Sequence, residues 1–453
     1  MGWNNVRPLK RSWGISDDAI NLSILHGEFP DVLKIAVVIP LYKKGAKTEA
    51  CNYRPISLLS NFAKIYEKIV KSQLVEYLET NNIFSLAQYG FRSKLSTQDA
   101  LAEAVTEIAN NMHGNKKVIG IFIDLTKAFD SIETSRLLLK LGRLGLDNTA
   151  VRWFTSYLTN RQQHVKYQDT ESAIKMVEYG VPQGSVLGPL LFLLHVNDLF
   201  KLDVGCKFVA FADDIAIITK GDSWEQVHTL STRVMTKIAR WFETNSLTVN
   251  TSKTKYIAFS INKTGQPTDS EIKVHMPTCG TNSQGCNCQN IEKVEYIKYL
   301  GLSLDQYLKW HEHVKNLSLR IKRTYHLFVL LRNCLGRKDI RMVYYAFVYS
   351  LLIYGIIVWG GAYATAFHTL EVTINTTIRI ATKAHRRTPI KNLYRDLDVL
   401  TPRMTFVYRL LICVRKNLDK YEKRNILRPT RIGLNSVLSV TRPQNDFFTR
   451  QLP

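Results

Sequence analysis

Apolar residues along this chain change period several times, and each change marks an element. Ile35 to Leu41 (IAVVIPL), Lys117 to Asp124 (KVIGIFID) and both halves of Lys207 to Thr219 (KFVAFADDIAIIT) are short runs rich in Val, Ile, Phe and Ala, which predicts buried strands. The last run breaks at Ala212-Asp213-Asp214 and is too short for two helices, so it predicts a hairpin with Asp213 and Asp214 at its tip. Helical spacing governs Ile56 to Glu79 through Leu58, Leu59, Phe62, Ile65, Ile69, Leu74, Tyr77 and Leu78, predicting a packed helix or helical pair. It returns over Ser96 to His113 (capped by Ser96 or Thr97), Glu133 to Leu146, Thr149 to Thr159, Pro189 to Leu199, Trp224 to Asn245, and from Trp310 onward. Met1 to Asp31 reads as a lead-in with a helix start at Ser16-Asp17-Asp18. Gln88 to Arg92 turns around Gly90, and Gly180 to Gly188 is a glycine-punctuated loop.

The hairpin tip carries the first chemistry. Adjacent carboxylates on a tight turn repel each other, and apolar neighbours withhold the water that would screen them. The strand from Lys117 ends on another carboxylate, Asp124. Side by side in one sheet, the two strands would bring Asp124 against Asp213 and hold two metal ions about 3.5–4 Å apart, the arrangement for in-line displacement at phosphorus. Mg²⁺ suits such oxygen ligands, using one or two carboxylates plus substrate phosphates, with Mn²⁺ as the substitute. A solvated Asp-Asp turn is the other reading of the hairpin alone.

FADD at Phe211 to Asp214 and the D-x4-F-D run at Asp124 to Asp130 resemble the C and A motifs of reverse transcriptases. Four further blocks resemble those of non-LTR retrotransposons, most closely the jockey-like group: YRPISLLSNFAKIYEKI at Tyr53 to Ile69, QYGFRSKLST at Gln88 to Thr97, VPQGSVLGPLLF at Val181 to Phe192, and KYLGLSLD at Lys298 to Asp305. Any one block could arise by chance; six in the right order rarely would. The resemblance implies an α/β (α+β) right-hand polymerase fold: a lead-in over 1–34, fingers over 35–116, a palm over 117–305 with an inserted loop at 261–292, and a basic helical thumb with a C-terminal extension over 306–453.

It also implies roles. Asp124, Asp213 and Asp214 would be the catalytic metal ligands, with Asp214 in support and the Leu125 carbonyl as a further oxygen. Arg54 and the pair Lys43 and Lys44 would meet the incoming triphosphate, fixed cations offsetting phosphate charge; a solvated loop is the other reading of the lysines. Arg92 would face template or nucleotide. Phe129 would be a steric gate excluding a 2′-hydroxyl, or ordinary core. Gln183 and Gly184 would meet the template base and the nucleotide. Lys253, beside Asn250 in a D-like motif, would protonate the departing pyrophosphate, or be a surface strand residue. Asp130 would fix the following turn without binding metal. Tyr299, Leu300 and Gly301 would form the primer grip. Implied partners are an RNA template, a DNA primer or target, and dNTPs.

Composition narrows the class. A chain of 453 residues that is 45% hydrophobic can bury sizeable cores. The formal charge is +23, and residues 305–453 hold 26 Lys and Arg against 9 Asp and Glu, a net of +17, leaving +6 for the rest. That is a footprint for a phosphate backbone, with Lys315, Arg320, Lys322 and Arg323 on one helix and Arg386, Arg387, Lys391 and Arg395 beyond; solubility charge is the blander reading. Seven cysteines without a leader indicate a reducing compartment, nuclear or cytoplasmic, and not secretion. Met342 to Phe367 lacks Asp, Glu, Lys and Arg and is long enough to span a bilayer. Its tyrosines and glycines favour a buried helix, so no membrane partner is expected.

Ile261 to Glu292 is an excursion rich in Asn, Gln, Gly, Pro and Thr. His275, Cys279, Cys286 and Cys288 within it lack zinc-site spacing, so a reduced loop competes with a metal site. The family's upstream endonuclease has no counterpart here, and is expected from a missing region or another chain; the sequence then reads as the polymerase portion of a larger element protein. Two rivals share the pattern: a nucleic-acid-binding remnant without activity, and a relative of group II intron maturases.

Overall fold

A computed structural model describes residues 15–261, 271–274 and 288–416, with the backbone of 423–425 and 436–438. The lead-in helix α1 (Ile15–His26) ends before Phe29, whose ring packs edge-on against Tyr66, Trp153 and Tyr157. Strands β1 (Ile35–Tyr42) and β2 (Tyr53–Leu58) pair antiparallel, Val37 opposite Leu58. Helix α2 (Asn61–Thr80) follows, with the Ser60 hydroxyl accepting from the Phe62 N–H, then α3 (Thr97–His113), opened by the Ser96 N–H donating to the Asp99 carboxylate. The helical reading of Ile56 to Glu79 therefore began too early. Ile56 and Leu58 belong to β2, and the helix buries Ala63, Tyr66, Glu67, Val70, Leu74 and Leu78, leaving Phe62 and Ile65 exposed.

The chain next builds β3 (Lys117–Ile123), β4 (Leu125–Thr126), α4 (Thr134–Arg143), α5 (Asn148–Leu158), β5 (Arg161–Tyr167), β6 (Thr170–Glu171) and β7 (Lys175–Val177). Strand β5 pairs parallel with β1, with β6 and β7 antiparallel to it, so residues 161–177 complete the sheet that β1 and β2 begin. After α6 (Gly188–Val196) come β8 (Lys207–Phe211), β9 (Asp214–Gly221), α7 (Trp224–Thr244), β10 (Thr248–Val249) and β11 (Lys255–Phe259). The short β12 (Ile272–Val274) and β13 (Gln289–Lys293) close the central sheet, ordered β12-β13-β11-β3-β9-β8, while β10 pairs with β4.

Period two places alternate residues of β3 and β9 on opposite faces, and both faces are covered. Ile119, Ile121, Ile123, Ile215 and Ile217 join Val234, Met235 and Ile238 of α7 in one core cluster. Val118, Phe122, Ala216 and Ile218 join Leu101, Ala104 and Ile108 of α3 in the other, which continues into the C-terminal helices. Each buried Val, Leu, Ile, Phe or Met among them stabilises the fold by about 1.5–3 kcal/mol, and this two-sided burial holds β3 and β9 in place.

The hairpin of β14 (Tyr296–Tyr299) and β15 (Leu302–Asp305) leads to α8 (His311–Lys322), α9 (Tyr325–Leu331) and α10 (Arg337–Tyr344). A single helix does not cover Met342 to Phe367. A π-helical turn (Tyr345–Tyr349) leads into α11 (Ser350–Ile353), the chain breaks at Tyr354 and Gly355, and α12 (Ile356–Trp359) is one turn long. The π-helical turn, the extended backbone at Tyr354 and Gly355 at φ 62° interrupt the helical ladder. Among the described residues no helix is long and apolar enough to cross a membrane. Helices α13 (Ala364–Ala381), α14 (Ile390–Leu397) and α15 (Pro402–Lys416) share one core cluster with this run.

Candidate active site

Phe211 pairs with Asp214 across β8 and β9, leaving Ala212 and Asp213 as the turn. Ala212 is left-handed there, at φ 58°, a conformation that costs an L-residue energy unless its neighbours enforce it. Its neighbours do so: the Gln88 side-chain oxygen accepts from the Ala212 N–H at 3.0 Å and from the Gly90 N–H at 2.8 Å. Segment 87–90 lies along β8 in a parallel bridge, the Tyr89 N–H donating to the Ala210 carbonyl and the Ala210 N–H to the Ala87 carbonyl, each at 2.8 Å. Only glycine fits at residue 90, because a Cβ would stand 2.4 Å from the Ala212 nitrogen.

On the neighbouring strand Ile123 pairs with Ile215, so Asp124 follows that pair as Asp214 precedes it. The Asp124 backbone is clamped on both sides, its N–H donating to the Thr254 hydroxyl (3.2 Å) and its carbonyl accepting from the Asn250 N–H (2.8 Å). The Lys253 ammonium stands 3.4 Å from the Asp124 carboxylate. These contacts bring the D-like motif onto the carboxylate cluster.

Asp124 acts electrostatically on Asp213 and Asp214, and Asp213 on Asp214. Protein packed around the tip withholds water even though Asp213 and Asp214 open to the surface, and this burial raises both carboxyls. Asp213 feels the Asp124 charge in addition, opposed by its own backbone N–H and by Arg54. Asp214 is pushed up to about 6 by burial, then by Asp213 and Asp124. Two acids raised by burial and by a common neighbour form a site with an unmet demand for positive charge.

Among the described residues no three His, Cys, Asp or Glu side chains close into a complete metal cage. The donor set fits a hard divalent ion that takes one or two carboxylates and completes its shell with phosphate oxygens and water.

Arg54 lies on β2, exposed and close enough to Asp213 to lower its carboxyl. Lys43 and Lys44 are exposed where β1 gives way to the loop before β2. The Gly180 to Gly188 loop is pinned to the turn after β4 and to β2: the Gln183 side-chain amide donates to both Asp130 oxygens at 2.9 and 3.0 Å, and its backbone carbonyl accepts from the Ser57 N–H at 2.7 Å. Gly184 has φ 125°, and a Cβ there would meet the Ser57 carbonyl oxygen at 2.4 Å. Asp130 thus fixes Gln183, and burial raises its carboxyl against that amide's effect. Phe129 is half-buried, its ring 4.7 Å from that of Phe192.

Two residues expected at ligands make contacts within the protein. Arg92 grips Glu79 with both ends of its fork (3.1 and 2.9 Å) and donates to the Ser85 and Gln88 carbonyls, which ties its guanidinium to the scaffold. Tyr299 is buried, its hydroxyl donating to the Val209 carbonyl of β8 at 3.2 Å. It anchors the hairpin, while Leu300 (φ 42°) and Gly301 (φ 85°) form the tip. Tyr354 holds that tip from the C-terminal helices, donating to the Leu300 carbonyl at 2.6 Å and lying 3.1 Å from the Thr97 hydroxyl.

Sequence reasoning missed two buried supports, Gln88 and Glu67. Glu67 on α2 is fully buried and accepts from the Tyr157 hydroxyl (2.9 Å) and the Val186 N–H, holding the Gly180 to Gly188 loop from beneath. Lys315, Arg320, Lys322, Arg323, Arg386, Arg387, Lys391 and Arg395 are all exposed. His275, Cys279 and Cys286 lie outside the described residues; Cys288 is half-buried.

Residues 42–304, more than half of the chain, match the family described as reverse transcriptase (RNA-dependent DNA polymerase). The chain is 29% identical over 387 residues to a probable RNA-directed DNA polymerase from transposon BS of Drosophila melanogaster, covering 82% of this chain and 41% of the relative. It is 26% identical over 437 residues to a probable RNA-directed DNA polymerase from transposon X-element of the same organism (93% and 45%). A third relative, the RNA-directed DNA polymerase from mobile element jockey, also from Drosophila melanogaster, is 28% identical over 384 residues (82% and 40%). The chain spans less than half the length of these relatives.

Proposed function

The chain belongs to the reverse transcriptase (RNA-dependent DNA polymerase) family, and from that premise we propose that it synthesises DNA on an RNA template as the polymerase of a non-LTR retrotransposon. The observation that carries this reading is the cluster of Asp124, Asp213 and Asp214 at the ends of β3 and β9, with Arg54 and Lys253 as its nearby cations.

In the proposed reaction the primer 3′-hydroxyl gives its proton to solvent and its oxygen attacks the α-phosphorus of a dNTP; the bond from that phosphorus to the oxygen shared with the β-phosphate breaks and pyrophosphate leaves. Asp124 and Asp213, supported by Asp214, would hold two Mg²⁺ or Mn²⁺ ions. When bound, these supply charge that activates the hydroxyl and stabilises the leaving oxygen. Arg54 orients the triphosphate, with Lys43 and Lys44 adding positive field from the loop beyond β1. Lys253, which lies beside Asp124, would hand a proton to the departing pyrophosphate. Gln183, steadied by Asp130, lines the nucleotide side, and Phe129 crowds the sugar. The hairpin tip at Leu300 and Gly301 supports the primer end, and the exposed cations of 306–416 hold the template–primer backbone, which confers affinity without sequence choice. An endonuclease elsewhere in the element protein, or on another chain, would supply the DNA primer.

Primer extension on an RNA template with dNTPs and Mg²⁺ tests this. The expected result is extension by the parent protein and none by Asp213→Ala, with template–primer binding retained. Tight binding without extension by the parent would replace the enzyme with a binding remnant, and an unaffected Asp213→Ala rate would sink the mechanism.

A further inference from the structure

We propose that Gln88 is a positioning residue for the catalytic turn: its side-chain oxygen holds the Ala212 peptide left-handed and thereby sets the direction of the Asp213 carboxylate. The inference rests on the polymerase reading for its consequence, though not for its geometry.

Three observations converge. First, the turn is strained at a residue with a side chain, Ala212 at φ 58°, and strain of this kind persists where the surroundings over-determine it. Second, the Gln88 oxygen spends both acceptor positions on this corner, on the Ala212 and Gly90 N–H groups. Its segment has its own footing: Arg92 ties the Ser85 and Gln88 carbonyls to Glu79, and the Asn197 side chain accepts from the Ser85 N–H and donates to the Ile83 carbonyl. The clamp therefore has a fixed base. Third, Gln88 is only 1% exposed, and its side-chain nitrogen is buried without a hydrogen-bond partner among the described residues. An orphaned buried donor is destabilising. A side chain that carries this penalty while its other end fastens the catalytic corner is kept for what that oxygen does.

Loss of the clamp frees Ala212 to return to negative φ, which swings the peptide that carries Asp213. Since a misplacement of about 1 Å can cost about a hundredfold in rate, the effect falls on the chemical step. Gln88→Met keeps length and volume and removes the acceptor. The expected outcome is a fall in kcat of about ten- to a hundredfold, with the KM for dNTP and the affinity for template–primer unchanged. Adding Ala212→Gly should restore much of that loss, because glycine adopts positive φ without strain. A merely structural role for Gln88 would not be rescued by glycine, which loosens the chain further.

Amide exchange supplies a readout independent of activity. Exchange at Ala212 should be slow in the parent and fast in Gln88→Met, with distant strands of the central sheet unchanged. A parent that extends no primer would overturn the polymerase reading and leave the clamp to be judged by exchange alone. Unaltered Ala212 exchange in Gln88→Met, a parental kcat, or a loss that Ala212→Gly does not relieve would each overturn the inference.

Discussion

Gly184→Ala strikes the contact between the Gly180 to Gly188 loop and β2. A Cβ at residue 184 would stand 2.4 Å from the Ser57 carbonyl oxygen, and the backbone sits at φ 125°. That conformation costs a residue other than glycine about 1–3 kcal/mol. Opening the contact to ordinary van der Waals distance requires a retreat of about 1 Å in a close-packed interior. The retreat breaks the Ser57 to Gln183 bond of 2.7 Å, worth about 1 kcal/mol net. The sum is about 2–4 kcal/mol, a large share of the 5–15 kcal/mol typical of a folded protein.

Two assays separate the consequences. Thermal denaturation should show a Tm lower by several degrees, at about 2–4 °C per kcal/mol for a domain of this order of size. Steady-state extension should show a KM for dNTP raised by about tenfold, the equivalent of about 1.4 kcal/mol, because the loop carries Gln183. Template–primer affinity should hold. Gly142→Ala is the matched control: it lies inside α4 with nothing within 4 Å of the added Cβ, and should stabilise the helix by about 0.5–1 kcal/mol. A Gly184→Ala protein with parental Tm and parental KM would refute the reasoning.

Arg92→Lys loses the two-pronged grip on Glu79 and should lower Tm by an amount reflecting about 1.5–3 kcal/mol while leaving the KM for dNTP alone; a raised KM would return Arg92 to the nucleotide site. Tyr354→Phe removes the donor to the Leu300 carbonyl, worth about 1 kcal/mol, and should weaken use of the primer end; equal primer KM values for the two proteins would contradict it. His195 and His313 are each held down to about 4, by burial first. Both histidines would take up protons on unfolding below their ordinary pKa of 6.5, so stability is complete above that pH and is lost as pH falls toward 4. Each contributes at most about 3 kcal/mol, and a Tm that stays flat across that window would refute the assignment.

The strands that carry the acids were legible because their signal is local. Short apolar runs ending on Asp124 and broken at Asp213 need no distant partner to be recognised, and the structure ends β3 and opens the turn at those residues. Other elements depend on what the chain meets later. Strand β5 reads RQQHVKY, with little alternation, and becomes a strand by pairing with β1. Ile56 and Leu58 happen to fall in phase with the helix that follows, so only the pairing to β1 reveals them as a strand. Arg92 is a cation near a nucleotide-like motif until Glu79 is seen in its fork. Gln88 is a neutral amide whose acceptors acquire meaning only when β8 lies beside it.

The bridge between Gln88 and Ala210 also bears on how copies of the protein keep apart. Strand β8 is the last of the central sheet, and an open edge offers unpaired backbone groups to any other strand. At the end that carries the acids the groups of Ala210 are already taken by Ala87 and Tyr89. At the other end Lys207 is ion-paired to Glu103 at 2.7 Å, and a charged residue is a poor invitation to pairing. Both ends of the edge are thus blunted against strand addition, one of them beside the acids at its tip.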